Sequence, residues 1–383
     1  MNTQVKTTPS PPQAKRRMAY DDWMESLGLP IYSGHHVEDL RTVKLEWWEA
    51  RQAHAGFLRL KGMDGVSEAR VMEIPAGKSS PPLKLAVGEL VYVLEGQGLT
   101  TVWREGGSKK HTFEWSERSL FHLPRHLHHQ IHNATGDKPV RLLHYNYLPV
   151  AMSVVPDPDF FFNNPYQAKS GVGEGEELFA EPTEVRSGKR ADSPINVHWV
   201  GNFFPDMSQW DKLTEFRDRG AGGHTVFMRF PDAEMGAHMS VFSPGLYKKA
   251  HRHGPGRVIV IPAGEGYSLL WKNKGDEKIV CPWHEATVFV PPEGWYHQHF
   301  NTGAEPARYL ALRWGSNRHV FRPGGLESDG GTDTSVKDGG AQIEYPDEDH
   351  EVHELFEGEL KRTGATCHMK ALVPWCTGVS HEE

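Results

Sequence analysis

Cysteine is scarce in this chain: Cys281, Cys367 and Cys376 are the only three among 383 residues. They are too few and too scattered to suggest a disulfide framework or a thiolate zinc site. A basic surplus is missing as well. The net charge is -8 and no long run of Lys and Arg occurs, which argues against a nucleic-acid partner. Long apolar runs are also absent. The first thirty residues hold Lys6, Lys15, Arg16 and Arg17 but no apolar core of the signal-peptide kind, and no later run approaches membrane-spanning length. A soluble cytoplasmic protein is expected, with no membrane partner and enough length for two domains with sizeable cores.

Histidine is where the sequence is rich in chemistry. In Gly245-Leu246-Tyr247-Lys248-Lys249-Ala250-His251-Arg252-His253, an extended backbone sends the side chains of His251 and His253 to the same face. His297 opens another apolar-aromatic stretch and can supply a third imidazole. Three neutral nitrogens on one face of a divalent ion would leave other coordination positions open for substrate.

The spacing around these residues is specific. Gly245 is followed by five residues, His251-x-His253, three residues, Arg257, six residues and Gly264; Ala286, Pro292-x-Gly294, His297 and Asn301 form a second group. Both groups resemble the two motifs of the cupin superfamily, with Arg257 where the first motif has Glu and Ala286 where the second has Gly. The same template recurs 168 residues earlier, from Gly77 to Gly245. There it reads Gly77, Leu83-x-Leu85, Glu89 and Gly96, then Arg118, Pro124-x-His126, His129 and Asn133. The resemblance implies an all-β fold of two tandem cupin barrels, each a double-stranded β-helix or jelly roll, with short flanking helices. Leu83 and Leu85 offer no ligand atoms, so the first barrel is expected to be a packing partner and dimer scaffold. The metal is expected at His251, His253 and His297.

The rest of the chain is organised around these barrels. Residues 1–19 read as a flexible arm and 20–150 as the first cupin, with a short helix from Tyr20 to Leu27 ended by Gly28 and Pro30. Residues 151–223, rich in Pro, Asp, Asn, Gly and Glu, read as a linker region with a helix from Met207 to Arg217. The second cupin is expected over 224–322, with a continuous strand from His251 to Ile261. Residues 323–383 read as a flexible segment followed by a helix at Val352–Lys361, where Leu355, Phe356 and Leu360 recur at helical spacing. His35 and His36 read as a solvated pair in a turn. His122, His126, His128, His129 and His132 alternate in a way that leaves most of them on the surface or behind the site.

A three-imidazole site brings no negative charge, so a divalent ion there favours anionic chelating substrates such as hydroxycarboxylates, catecholates or enolates. Arg257 adds a cation on the same stretch, and its planar fork suits a substrate carboxylate. Within the superfamily the arrangement resembles the bicupin ring-cleaving dioxygenases of the gentisate and salicylate type, which also have His-Arg-His without the Glu. That resemblance implies a non-haem Fe(II) enzyme using O2 to cleave a carbon-carbon bond of a hydroxybenzoate- or catechol-like substrate. His299, two residues after His297, is expected to act as an acid/base or hydrogen-bond donor, and Tyr296 is a further catalytic candidate. The alternative is a lyase, decarboxylase or isomerase using Mn, Ni or Zn as a Lewis acid without O2. A sensor or storage role is disfavoured. By analogy with other cupins a homodimer or homotetramer is expected.

Overall fold

A computed structural model describes residues 17–63, 65–167, 178–186, 194–314 and 333–378. Two β-barrels follow one another, each made from a large and a small sheet. In the first, the large sheet runs Ile31–Gly34, Ala53–Leu60, Glu68–Ile74, Val140–Asn146, Glu89–Glu95, Leu120–Leu123, Phe203–Phe204, with Glu46–Trp48 beside Ala53–Leu60. Its small sheet runs Leu83–Lys84, His128–Asn133, Gly98–Trp103, Lys110–Trp115. In the second barrel the large sheet centres on Met235–Phe242, Ala307–Trp314 and Val258–Ala263. The small one runs Ile279–Trp283, Gly266–Trp271, Tyr296–Asn301, Ala250–His251, Gln342–Ile343.

The two large sheets pack against each other, which explains strands that are apolar on both faces. Along Glu89–Glu95, Leu90 and Tyr92 join a cluster with Met239, Val258, Val260, Leu310 and Leu312 of the second barrel. Val91 and Val93 fill the interior of the first barrel with Phe57, Phe121 and Leu142. The small sheets are amphipathic in the ordinary way: Gly98–Trp103 alternates buried and partly exposed residues throughout.

The repeat is written into the backbone. Gly77 and Gly245 have φ of 62° and 68°, Gly96 and Gly264 of 89° and 92°. At the two positions where this sequence departs from a Gly pattern, Arg118 and Ala286 both hold φ of 67°, a left-handed conformation that glycine adopts without cost. Side-chain hydrogen bonds repeat too. Trp115 Nε1 donates to Thr100 Oγ1 at 2.9 Å, and Trp283 Nε1 donates to Ser268 Oγ at 3.0 Å. Asn133 Nδ2 donates to Ile74 O at 3.1 Å, as Asn301 Nδ2 does to Phe242 O at 3.1 Å.

Non-local pairing departs from the sequence-based expectations. His36–Val37 is not a free turn but an edge strand of the second barrel, antiparallel to Val288–Phe289. Phe203–Phe204 pairs in return with Leu120–Leu123 of the first barrel. The segment 151–223 therefore supplies strands to both large sheets: Thr183–Arg186 and Val197–Val200 extend the second. The helix expected from Met207 to Arg217 does not form. Met207 and Trp210 are drawn into the core between the barrels, the Ser208 backbone N–H donates to Asp206 Oδ1 at 2.7 Å in a turn, and Thr214–Glu215 pairs as a short strand.

Helix α1, Ala19–Ser26, forms as expected and ends before Gly28 at φ 67°. Leu148–Val154 forms α2, and α3 spans His350–Thr363. Val352, Phe356 and Leu360 of α3 are buried against the outer face of the second barrel's small sheet, whereas Leu355 points to solvent. Before α3, Gln342–Ile343 pairs with Ala250–His251, so the C-terminal segment is part of the sheet that carries a candidate ligand. The arm over residues 1–16 and most of the segment expected to be flexible, residues 323–332, lie outside the described residues. Among the described residues, no helix is long and apolar enough to cross a membrane.

Candidate metal centre

Register brings the three histidines together. His251 pairs directly with His297 across two antiparallel strands. The strand expected to continue to Ile261 stops at His251; residues 252–257 form an irregular loop before Val258–Ala263, and His253 reaches the same interior face from that loop. Ring centroids lie 4.1 Å apart for His251 and His297, 4.5 Å for His253 and His297, and 5.6 Å for His251 and His253. One nitrogen from each lies within 4.8 Å of the others.

The first barrel holds this loop in place. The Gly256 N–H donates to Gly62 O at 2.8 Å, and Tyr145 Oη donates to Gly256 O at 2.8 Å. Gly256 sits at φ 78°, and a Cβ there would come within 2.8 Å of Val66 Cγ1. On the other side the Gly294 N–H donates to His253 O at 2.9 Å, tying the two motifs together.

The donor set fits a divalent ion. His253 Nδ1 donates to Gly254 O at 2.7 Å and His297 Nδ1 to Trp295 O at 3.4 Å, which leaves Nε2 of each ring as the lone-pair donor. His251 Nδ1 is buried with no hydrogen-bond partner. An orphaned ring nitrogen beside two others suits an ion better than a closed hydrogen-bond network. Burial, reinforced by neighbouring Arg and His groups, holds all three imidazoles well below their ordinary pKa, so each is neutral.

The surroundings are cationic. Arg257, on the loop after His253, is enclosed enough that burial, with Arg313 and Arg219 nearby, pushes its guanidinium down to about 9. Its charge in turn lowers the pKa of His253, His297 and His238. Among the described residues no carboxylate acts on Arg257 or Arg313, and Arg313 Nε is buried without a partner. Arg313 is among the residues that the sequence suggests around the ligands, whereas His238 reads there as an ordinary surface or core histidine; both lie on inward positions of the large sheet, and only the barrel closure brings them near Arg257.

His299 also faces inward. Its ring centroid is 5.5 Å from that of His297 and 4.4 Å from that of Tyr309, and Nδ1 shares a 2.8 Å hydrogen bond with Ser268 Oγ. Burial, then Arg219 and Lys248, lower its pKa to about 3. Tyr296 is different. Strand alternation turns it to the outer face, where it stacks on Trp271 at 5.8 Å under the Arg252 guanidinium at 4.9 Å. The structure does not bring Tyr296 to the histidines, which corrects its reading as a catalytic candidate.

In the first barrel the equivalent position is closed. Leu83 pairs with His129 in the register that His251 and His297 share. Glu89, at the position of Arg257, accepts from Arg70 Nη2 at 2.7 Å and His144 Nδ1 at 2.8 Å. A guanidinium thus fills the role of the missing cation. The architecture is the pair of tandem β-barrels that the resemblance to the cupin motifs implies.

No protein-family model matches the sequence. A gentisate 1,2-dioxygenase from Ralstonia sp is 31% identical over 88 residues, a stretch that spans 23% of this chain and 23% of that protein. Oxalate decarboxylase from Bacillus subtilis is 13% identical with a TM-score of 0.45, covering 74% of this chain and 77% of that chain. A variant of the same decarboxylase gives 12% identity and a TM-score of 0.46 over 76% and 79%.

Proposed function

We propose that this bicupin is a non-haem Fe(II) dioxygenase that cleaves a carbon-carbon bond of an anionic, hydroxybenzoate- or catechol-like substrate, with the chemistry confined to the second barrel. The observation that carries the reading is the cluster of three neutral imidazoles with no carboxylate ligand, with the buried Arg257 guanidinium acting on His253 and His297. His251, His253 and His297 would hold the ion on one side. The bound metal would supply open coordination positions at which a chelating substrate and O2 can meet.

The protein's own residues supply orientation and charge. Arg257 binds the substrate carboxylate through its planar fork, and Arg313 adds to the positive field that draws an anion inward. His299, held by Ser268, presents its remaining ring nitrogen to substrate as a neutral hydrogen-bonding group. Phe289 and Tyr309 pack beside His299 and limit water there. The short likeness to gentisate 1,2-dioxygenase supports the same reaction class.

The test is oxygen uptake by anaerobically purified, Fe(II)-reconstituted protein given hydroxybenzoates, catechols, hydroxynaphthoates, aminophenols and diketones. Substrate-dependent uptake is expected, and it disappears in His297→Ala. Metal-dependent loss of a small carboxylate without uptake of O2 would replace this reading with Lewis-acid lyase or decarboxylase chemistry.

A further inference from the structure

Two of the three cysteines, far from any expected motif, meet outside the second barrel. Cys367 Sγ and Cys376 Sγ lie 3.6 Å apart, and Cys376 Sγ is 3.5 Å from Glu357 Oε1. Glu357 and His353 stand one turn apart on the same face of α3, with His353 Nε2 at 3.2 Å from the same carboxylate oxygen. Ligand atoms from His353, Glu357, Cys367 and Cys376 all lie within 4.8 Å of one another. The first three residues are buried and Cys376 is partly covered.

We propose that these four side chains form a closed, tetrahedral metal site of the zinc type that fastens the C-terminal tail to α3. A tetrahedral zinc ion, with bonds of about 2.3 Å to sulfur and 2.0–2.2 Å to nitrogen and oxygen, sets edges of about 3.75 Å for S···S, 3.6 Å for S···O and 3.4 Å for N···O. The observed separations of 3.6, 3.5 and 3.2 Å follow that order and lie within about 0.2 Å of it. Two soft sulfurs with one imidazole and one carboxylate favour zinc over the hard cations.

The hydrogen-bond network selects the matching tautomer. Tyr247 Oη donates to Glu348, so His353 Nδ1 at 3.1 Å is the donor to Tyr247 Oη. Nε2 is then a lone pair facing a carboxylate lone pair, an arrangement that a cation between them stabilises. The carboxylate is itself oriented: the backbone N–H groups of Thr377 and Gly378 donate to Glu357 Oε1 at 2.8 and 3.2 Å, and Thr377 Oγ1 donates to Oε2 at 2.5 Å. These are the outer contacts that hold a ligating carboxylate in place.

The experiment uses zinc alone as the probe and the full chain in which the barrel histidines are removed, His251→Ala with His253→Ala. After expression in zinc-supplemented medium and chelator-free purification, about one zinc per chain is expected, and adding Cys367→Ser with Cys376→Ser should lower it at least tenfold. Because the cysteine variants can misfold, zinc-edge X-ray absorption on the histidine-depleted chain gives an independent readout, with two sulfur scatterers at about 2.3 Å expected. Absence of zinc from that chain, absence of sulfur scatterers, or a Cys367–Cys376 disulfide in the protein as purified would each overturn the proposal.

Discussion

His251 faces His297 across the small sheet of the second barrel, and in the first barrel Leu83 faces His129 in the same register. One barrel keeps the nitrogen ligands and has Arg257 at the carboxylate position; the other keeps Glu89 and has lost the nitrogens. The polarity of the two interiors is inverted. In the first, Arg70 neutralises Glu89 and His144 donates a hydrogen bond to it; in the second, no carboxylate acts on Arg257, whose charge bears on His253 and His297.

Glu89→Gln should therefore be a stability mutation. Removing one partner of a buried, hydrogen-bonded ion pair leaves Arg70 under-compensated and costs about 3–5 kcal/mol. Denaturant midpoints should fall accordingly, while metal content per folded chain stays unchanged. A loss of metal at unchanged stability would contradict the assignment of the first barrel as scaffold.

Arg257→Gln should leave metal content intact and raise KM for a carboxylate-bearing substrate. A charge-assisted hydrogen bond contributes about 1.5–3 kcal/mol, or about ten- to a hundredfold in affinity. The corresponding methyl ester should be indifferent to the change. Equal effects on acid and ester would remove Arg257 from substrate binding.

Ala286→Gly should stabilise the protein. Ala286 is buried at φ 67°, where an L residue is strained by about 1–2 kcal/mol, partly offset by the greater unfolded-state entropy of glycine. A net gain of about 0.5–1 kcal/mol is expected from equilibrium unfolding. No change, or a loss, would mean that the Ala286 methyl contributes more by packing than its backbone costs.

Glu348 gives a pH dependence with a definite sign. Burial raises its carboxyl to about 7, offset in part by hydrogen bonds from Tyr247 and Gln298 and aided by Asp349. A group raised on folding stabilises fully below its unfolded pKa and loses that contribution as pH rises through the folded value. Stability should fall between about pH 4.5 and 7 by roughly 3 kcal/mol, and Glu348→Gln should flatten that fall. Identical pH profiles for the two proteins would refute it.

Much of this was legible in the sequence, because motif spacing fixes local geometry. His251, His253 and His297 follow from it, as do both barrels and the 168-residue repeat of Gly77 in Gly245. Tyr296 misleads only when strand parity is ignored: as the neighbour of His297 it must face the other way. The remaining departures are non-local. No local pattern announces that His36–Val37 joins the second barrel or that Met207 and Trp210 are claimed by the inter-barrel core. Cys367 and Cys376 look scattered along the chain, yet the tail folds back onto α3 and brings them to the His353 and Glu357 pair.

The most direct test of the central claim is the iron content of the Fe(II)-reconstituted chain, compared with that of His297→Ala, under anaerobic conditions. One iron per chain in the parent, lost in His297→Ala and retained in Cys367→Ser with Cys376→Ser, is the predicted result. Full iron retention in a folded His297→Ala protein would contradict the assignment of the second barrel as the metal-binding site.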